Sequence, residues 1–302
     1  MVLAAPADRT APVEQQTGRR RRSRDSGAEV SRAGPLVYIV LALGAALSVF
    51  PLYFMIVVAT RSNDAIGGLP PVLTPGGQLA ENVQRLLDNA DAHFLRGLAN
   101  SVLVSGSVTL AVVLFSTLAG FAFAKLPFRG RNVLLLVIVA TMAIPIQLGL
   151  IPLYILMVKL GWVGDLKAVI VPFLVSGFGV FMMRQYSASA VSDELIEAAR
   201  VDGCSTLRIY WNVVLPAVRP AAAVLGLFTF MQTWNDFLWP YSVLNQDQPT
   251  VQLSLATLSS GYYSDFAQIF AGTALATLPL LLVFVLFGRQ IIGGIMEGAL
   301  KA

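Results

Sequence analysis

The sequence predicts an all-α integral membrane protein with six transmembrane helices, and three observations carry that prediction. Apolar residues make up 56% of the 302-residue chain and charged residues 13%, with a mean hydropathy of +0.71; a water-soluble domain carries about 25% charged residues. Six apolar runs stand between polar stretches, each near the roughly 20 residues that a helix needs to cross a hydrocarbon core. Lysine and arginine are also spread unevenly between alternate polar stretches, as the positive-inside tendency requires.

Taken in order, residues 1–34 are rich in Ala, Arg, Ser and Glu without apolar period and read as a disordered basic tail. The run at 36–59 is too long for the apolar stretch of a signal peptide, and no small-residue cleavage site follows it, so it is the first span. Later spans are expected at 102–124, 133–157, 166–183, 221–244 and 267–287. The fourth is the shortest and crosses with help from flanking residues such as Trp162. Pro145 and Pro152 predict a kink in the third. Between spans one and two, "ENVQRLLDNADAHFLRGL" sets Val83, Leu86, Leu87, Ala90 and Phe94 on one helical face, an amphipathic element for the outer surface. Residues 35–302 thus form one polytopic domain.

With the tail inside, the inner side holds sixteen basic residues and the outer side five: Arg61, Arg85, Arg96, Lys159 and Lys167. Without the tail the split is still nine to five. Both termini are therefore expected in the cytoplasm. Trp234, Phe237, Trp239 and Tyr241 then fall at the outer end of span five, where amphipathic rings belong.

Several functions are excluded early. The formal charge of +4 is supplied by the arginine run "GRRRRSR", so nucleic acid is not an expected partner. One cysteine, Cys204, and one histidine, His93, allow neither a disulfide nor a Cys/His metal cage, and His93 has no triad partner near it in sequence. No Gly-Lys pair occurs, so there is no phosphate-binding loop and no ATPase activity is expected of the chain alone. A secondary transporter would place ionisable residues inside its spans, and apart from Asp236 the six runs carry essentially none.

One segment departs from this apolar plan. "EAARVDGCSTLRIYWNVVLP", residues 197–216, carries four charges, a central glycine and a terminal proline between two spans. Ser192, followed by Asp193 and Glu194, is placed to cap a helix with two acids facing its positive end. That helix is expected to stop at Gly203. Ser205 caps a second short helix with Leu207, Tyr210, Trp211 and Val214 on one apolar face, ended by Pro216. Such a helix, bend and helix beneath the membrane either lies on lipid or docks into another protein. Cys204, beside the bend and near a helix N-terminus, reads equally as a small packing residue or as an activated thiol.

Glu197-Ala198-Ala199, three residues, Gly203, nine residues and Val213-Val214-Leu215-Pro216 resemble the EAA loop of ABC importer permeases. The family usually has Ile where Val213 stands. Further stretches, "FAFAKLPFRGRN", "IPLYILMVKLGWVGDL", "FGVFMMRQY", "WNDFLWPYSVL" and "GGIMEGALKA", resemble its carbohydrate-uptake branch, the maltose-type six-span component, over roughly residues 35–302.

The resemblance implies a type I importer permease fold and a subunit of an ATP-driven importer of sugar, a di- or oligosaccharide by default. It implies a second permease subunit, two ABC ATPase subunits that bind ATP and magnesium, and an extracytoplasmic sugar-binding protein; the chain itself needs no cofactor. The coupling loop, about residues 184–216, would contact the ATPase through Glu197, Ala198, Ala199, Asp202, Gly203, Leu215 and Pro216. Asn235 and Asp236 at the outer end of span five are candidates for substrate contact, and Tyr262 and Tyr263 in "SSGYYSD" for the binding protein. The duller reading of Gln232, Thr233, Asn235 and Asp236 is interhelical hydrogen bonding. The alternative function is an ABC permease for a non-sugar solute, told apart by its binding protein's ligand, with a secondary transporter ranked behind it.

Overall fold

A computed structural model describes residues 34–68, 70–259 and 264–299, with the backbone alone over 289–299. Residues 1–33 of the expected tail, Tyr262 and Tyr263 lie outside the described residues, as do the side chains of the terminal stretch. Among the described residues the regular structure is entirely helical. Internal contacts divide the chain within its first helix, into residues 1–49 and 50–302.

Helix α1, Pro35–Ala59, is followed by the short α2, Asn63–Ile66, and by α3, Leu79–Asp88. α4, Phe94–Lys125, is the second span and starts eight residues before the apolar run, because the polar turn before it is carried into the helix. The third span is not one rod. α5, Arg131–Met142, and the run Ile146–Leu160, a 3-10 turn leading into α6, Leu150–Leu160, meet at 91°. Pro145 stands at the break; it has no N–H to give and pushes the residue before it out of helical conformation.

The fourth span is also interrupted. α7, Lys167–Ile170, passes into a 3-10 turn, Val171–Phe173, and after a break Ser176 caps α8, Gly177–Ala190, by accepting from Gly179 N. α8 thus runs past the expected end at 183. α9, Asp193–Val201, and α10, Thr206–Ile209, lead through a π turn, Tyr210–Val214, into α11, Leu215–Trp234. α12, Leu238–Val243, α13, Val251–Ser259, and α14, Phe266–Ala299, complete the order. Among the described residues five helical stretches are long and apolar enough to cross a membrane, six with the bent pair counted as one span. The chain is a multi-pass membrane protein.

Two expectations for the side read as outer from the sequence are corrected. The amphipathic element is α3 alone: it ends at Asp88, Asn89 Oδ1 accepts from the N–H groups of Asp91 and Ala92, and Phe94 belongs to α4. Of its expected apolar face Leu86 is buried, whereas Leu87 and Ala90 are exposed. Span five ends at Trp234, and the residues after it turn into α12 instead of continuing the helix. As a result Trp234 and Trp239 are core residues, and only Phe237 and Tyr241 keep exposed, mutually stacked rings.

α4 is the central helix and packs against α8, α11 and α13. The α4–α8 contact is close enough that a Cβ at Gly120 would lie 2.6 Å from the Met183 carbonyl carbon, and one at Gly179 2.3 Å from Ser116 Oγ. Small residues on both helices let the backbones approach, the usual way that membrane helices gain dispersion contact. A core around Val108, Val112, Met183, Val218 and Leu225 fills the space between α4, α8 and α11.

Candidate functional site

The segment from α9 to the start of α11 is shaped first by its turn. α9 ends at Val201 with Asp202 as its C-cap, and Gly203 takes φ +76. Gly203 N donates to Arg200 O at 3.0 Å and Cys204 N to Ala199 O at 2.9 Å. This is a Schellman closure, in which the glycine accepts a left-handed conformation that costs other L-residues energy. The spacing Ala199, three residues, Gly203 is therefore the spacing of that closure. Ser205 caps α10 as expected, its Oγ accepting from Arg208 N.

Ser192 does not act as expected. It holds the extended backbone of a cap, but its hydroxyl makes no bond to the first-turn N–H groups. It bonds the Glu194 carboxylate instead, and Glu194's own backbone N–H and then this hydroxyl hold that carboxyl below the usual glutamate range.

Pro216 does not end a helix. It sits at the second position of α11, directly after the π turn, where Leu215 N donates to Tyr210 O. A π turn widens the helix by one residue, which relieves the clash and the missing N–H that a proline brings. α10, the π turn and α11 thus form one continuous run of 29 residues, Thr206–Trp234.

The expected single apolar face is split in two. Ile196 and Ala199 of α9, with Ile209, Tyr210 and Val214, are buried in the same core as Val112, Met183 and Leu225. Leu207 and Trp211, expected beside Tyr210 and Val214, point outward. Glu194, Glu197, Ala198 and Val201 recur at i, i+3, i+4 and i+7 on the outer face of α9, and all are exposed. The two alanines of the Glu-Ala-Ala triplet therefore differ: Ala199 closes the packing against the bundle, and Ala198 leaves a flat outer surface. Asp202, Gly203 and Pro216 are exposed, and Leu215 is half-buried against the core. Cys204 is half-buried against it too.

Two polar ties fasten this module to α4. Lys125 Nζ, on a side chain only 8% exposed, meets Asp193 Oδ1 at 2.7 Å. Deeper in, Tyr210 Oη and Thr117 Oγ1 lie 2.7 Å apart, and the Tyr210 ring packs against Phe121 with centroids 6.3 Å apart. Sequence reading missed these partners. Lys125 looked like a topology charge and Tyr210 like part of an outer face, and no local pattern relates residues 93 positions apart.

Asn235 and Asp236 are not gathered with this module. They occupy the break between α11 and α12. Asn235 Nδ2 donates to Met231 O, and Thr233 Oγ1 to Thr229 O, so both bond within their own helical run and not across helices. The half-buried Asp236 carboxylate turns to the backbone N–H groups of Trp239 and Leu238, at the start of α12. Among the described residues no cluster of His, Cys, Asp or Glu is arranged for a metal ion.

The family described as "Binding-protein-dependent transport system inner membrane component" matches residues 113–292. The chain is 31% identical over 277 residues to the arabinooligosaccharides transport system permease protein AraQ of Halalkalibacterium halodurans, covering 89% of this chain and 99% of that one. It is 34% identical over 265 residues to the lactose transport system permease protein LacG of Rhizobium radiobacter, covering 87% and 95%. Over 267 residues it is 28% identical to the sn-glycerol-3-phosphate transport system permease protein UgpE of Escherichia coli K12. In fold it is similar to a chain of a bacterial ABC transporter that imports alginate, with a TM-score of 0.72 and 22% identity over 85% of this chain and 95% of that chain.

Proposed function

The chain belongs to the family of binding-protein-dependent transport system inner membrane components, and from that premise we propose that it is a permease subunit of an ATP-driven sugar importer. In this reading it pairs with a second, unlike permease subunit to form the path. A sugar-binding protein delivers substrate outside, and two ATPase subunits, which bind the ATP and magnesium, dock inside. The cell membrane holds it with both termini in the cytoplasm, in keeping with the sixteen-to-five split of basic residues. Relatives that carry arabino-oligosaccharides and lactose support a di- or oligosaccharide as cargo.

The observation that carries the coupling role is the two-sided module of α9 and α10. One side is locked into the bundle core by Ile196, Ala199, Ile209, Tyr210 and Val214, while the other leaves Glu197, Ala198, Val201, Leu207 and Trp211 exposed. A body held this way moves as a unit when its outer face is gripped, and carries the attached helices with it. Ala198 gives the flat approach and Glu197 the charge for a basic residue in the ATPase cleft. Asp202, Gly203, Leu215 and Pro216 keep the two short helices at their angle. Asn235 and Asp236, at the opposite end of α11, are assigned to the outer mouth, and Tyr262 and Tyr263 to contact with the binding protein.

The test is uptake into proteoliposomes holding this chain, its partner permease and the ATPase, with the binding protein added outside. ATP-dependent accumulation of a labelled disaccharide or oligosaccharide is expected. Accumulation of sn-glycerol 3-phosphate without any sugar overturns the cargo, and uptake that persists without ATPase subunits overturns the energy source.

A further inference from the structure

We infer that the buried hydroxyl pair Tyr210–Thr117 is the latch that passes motion of the docking module to α4, a helix that the module does not adjoin in sequence; the inference rests on the coupling role proposed above.

The direction of the bond follows from the donor count. Thr117 Oγ1 lies 2.8 Å from Val113 O and 3.0 Å from Leu114 O, so its one proton is spent on its own helix. Tyr210 is therefore the donor, and the order is Tyr210 Oη–H to Thr117 Oγ1–H to the α4 backbone. Tyr210 is 1% exposed, and Thr117 is fully buried. At that burial, separating the two helices leaves the Tyr210 phenol without an acceptor in an apolar core, while the Thr117 hydroxyl keeps only its bond to α4.

The backbone route is softer. Tyr210 is the first residue of the π turn, where the regular ladder is interrupted before Pro216. A push on α9 and α10 is thus free to flex that widened turn before it reaches α11. The second polar tie, Lys125–Asp193, is weaker, because Asp193 is 78% exposed and water competes for it. Among the described residues the Tyr210 hydroxyl is the buried polar link from the module to α4, and it grips on the module side of Pro216. It sits where it makes α4 and the module one body whatever the π turn does.

The discriminating variant is Tyr210→Phe, which keeps the ring against Phe121 and removes only the donor. In the assembled transporter, sugar transported per ATP hydrolysed is expected to fall on the order of fivefold to tenfold, with hydrolysis itself maintained. Thr117→Val, isosteric and on the other helix, is expected to give the same ratio, and the double variant no worse than either single one. A wild-type ratio in assembled Tyr210→Phe complex overturns the latch. So does a proportional loss of uptake and hydrolysis, which marks a general packing role, or a loss of assembly in both single variants. Failure of the underlying coupling role reads differently, as wild-type chain that shows no ATP-dependent uptake at all.

Discussion

Replacing Gly203 separates backbone conformation from packing, because a Cβ built there meets nothing within 4 Å and the residue's φ is +76. Within the chain, the loss on alanine substitution comes from the left-handed conformation and not from a Cβ clash. For an ordinary L-residue that conformation costs about 1–2 kcal/mol. Alanine brings this cost; valine exceeds it because its branched Cβ crowds the same torsion; asparagine falls below it, because its short polar side chain tolerates the region. Relaxation toward negative φ would break the bonds from Gly203 N to Arg200 O and from Cys204 N to Ala199 O, and swing α10 away from α9. If the free module relaxes and docking restores the turn, the whole cost appears in ATPase affinity, about 5- to 30-fold for Gly203→Ala. The assay is titration of purified ATPase subunit onto nanodisc-held permease pair, with binding-protein-stimulated hydrolysis measured in parallel. The expected order of affinity is Gly, then Asn, Ala and Val. Asparagine as damaging as valine, or a valine variant with wild-type affinity, refutes the reasoning.

Glu197→Lys reverses an exposed charge on the docking face, so thermal stability of the chain is expected to stay within about 0.5 kcal/mol while ATPase binding weakens, and more so at low salt. Unchanged binding at every ionic strength removes Glu197 from the contact. Asp193→Asn leaves the enclosed Lys125 ammonium without its partner, and the cost is expected between the about 1 kcal/mol of an exposed pair and the roughly 3–5 kcal/mol of a buried one; Lys125→Met, which removes the charge to be satisfied, should cost less, and thermal melts of the two variants decide it. Cys204, half-buried beside the turn, is expected to react with a charged maleimide in inverted vesicles, to resist it in sealed cells, and to be protected once ATPase subunits assemble. Labelling from outside sealed cells would overturn the proposed orientation.

The class of the molecule was legible in the sequence because it depends on composition and local rules. Apolar runs of spanning length need no partner to be recognised, and the Glu-Ala-Ala to Gly203 interval encodes a turn that six consecutive residues, Ala199 to Cys204, close on their own. Ser205 capping α10 is local in the same sense. Pro145 announced a disturbance in the third span, but not its size, 91°. Hydropathy likewise placed Trp234 and Trp239 at an interface, whereas the chain turns after Trp234 and buries Trp239, whose Nε1 donates to Ala168 O 71 residues away. The split of the docking module's apolar residues was decided by the same kind of distant contact. Tyr210 faces inward because Thr117 and Phe121 of α4 wait there, while the adjacent Trp211 faces out. Periodicity shows which residues share a helix face; only tertiary packing decides which face is covered, because burial is a property of two surfaces and a sequence writes them far apart.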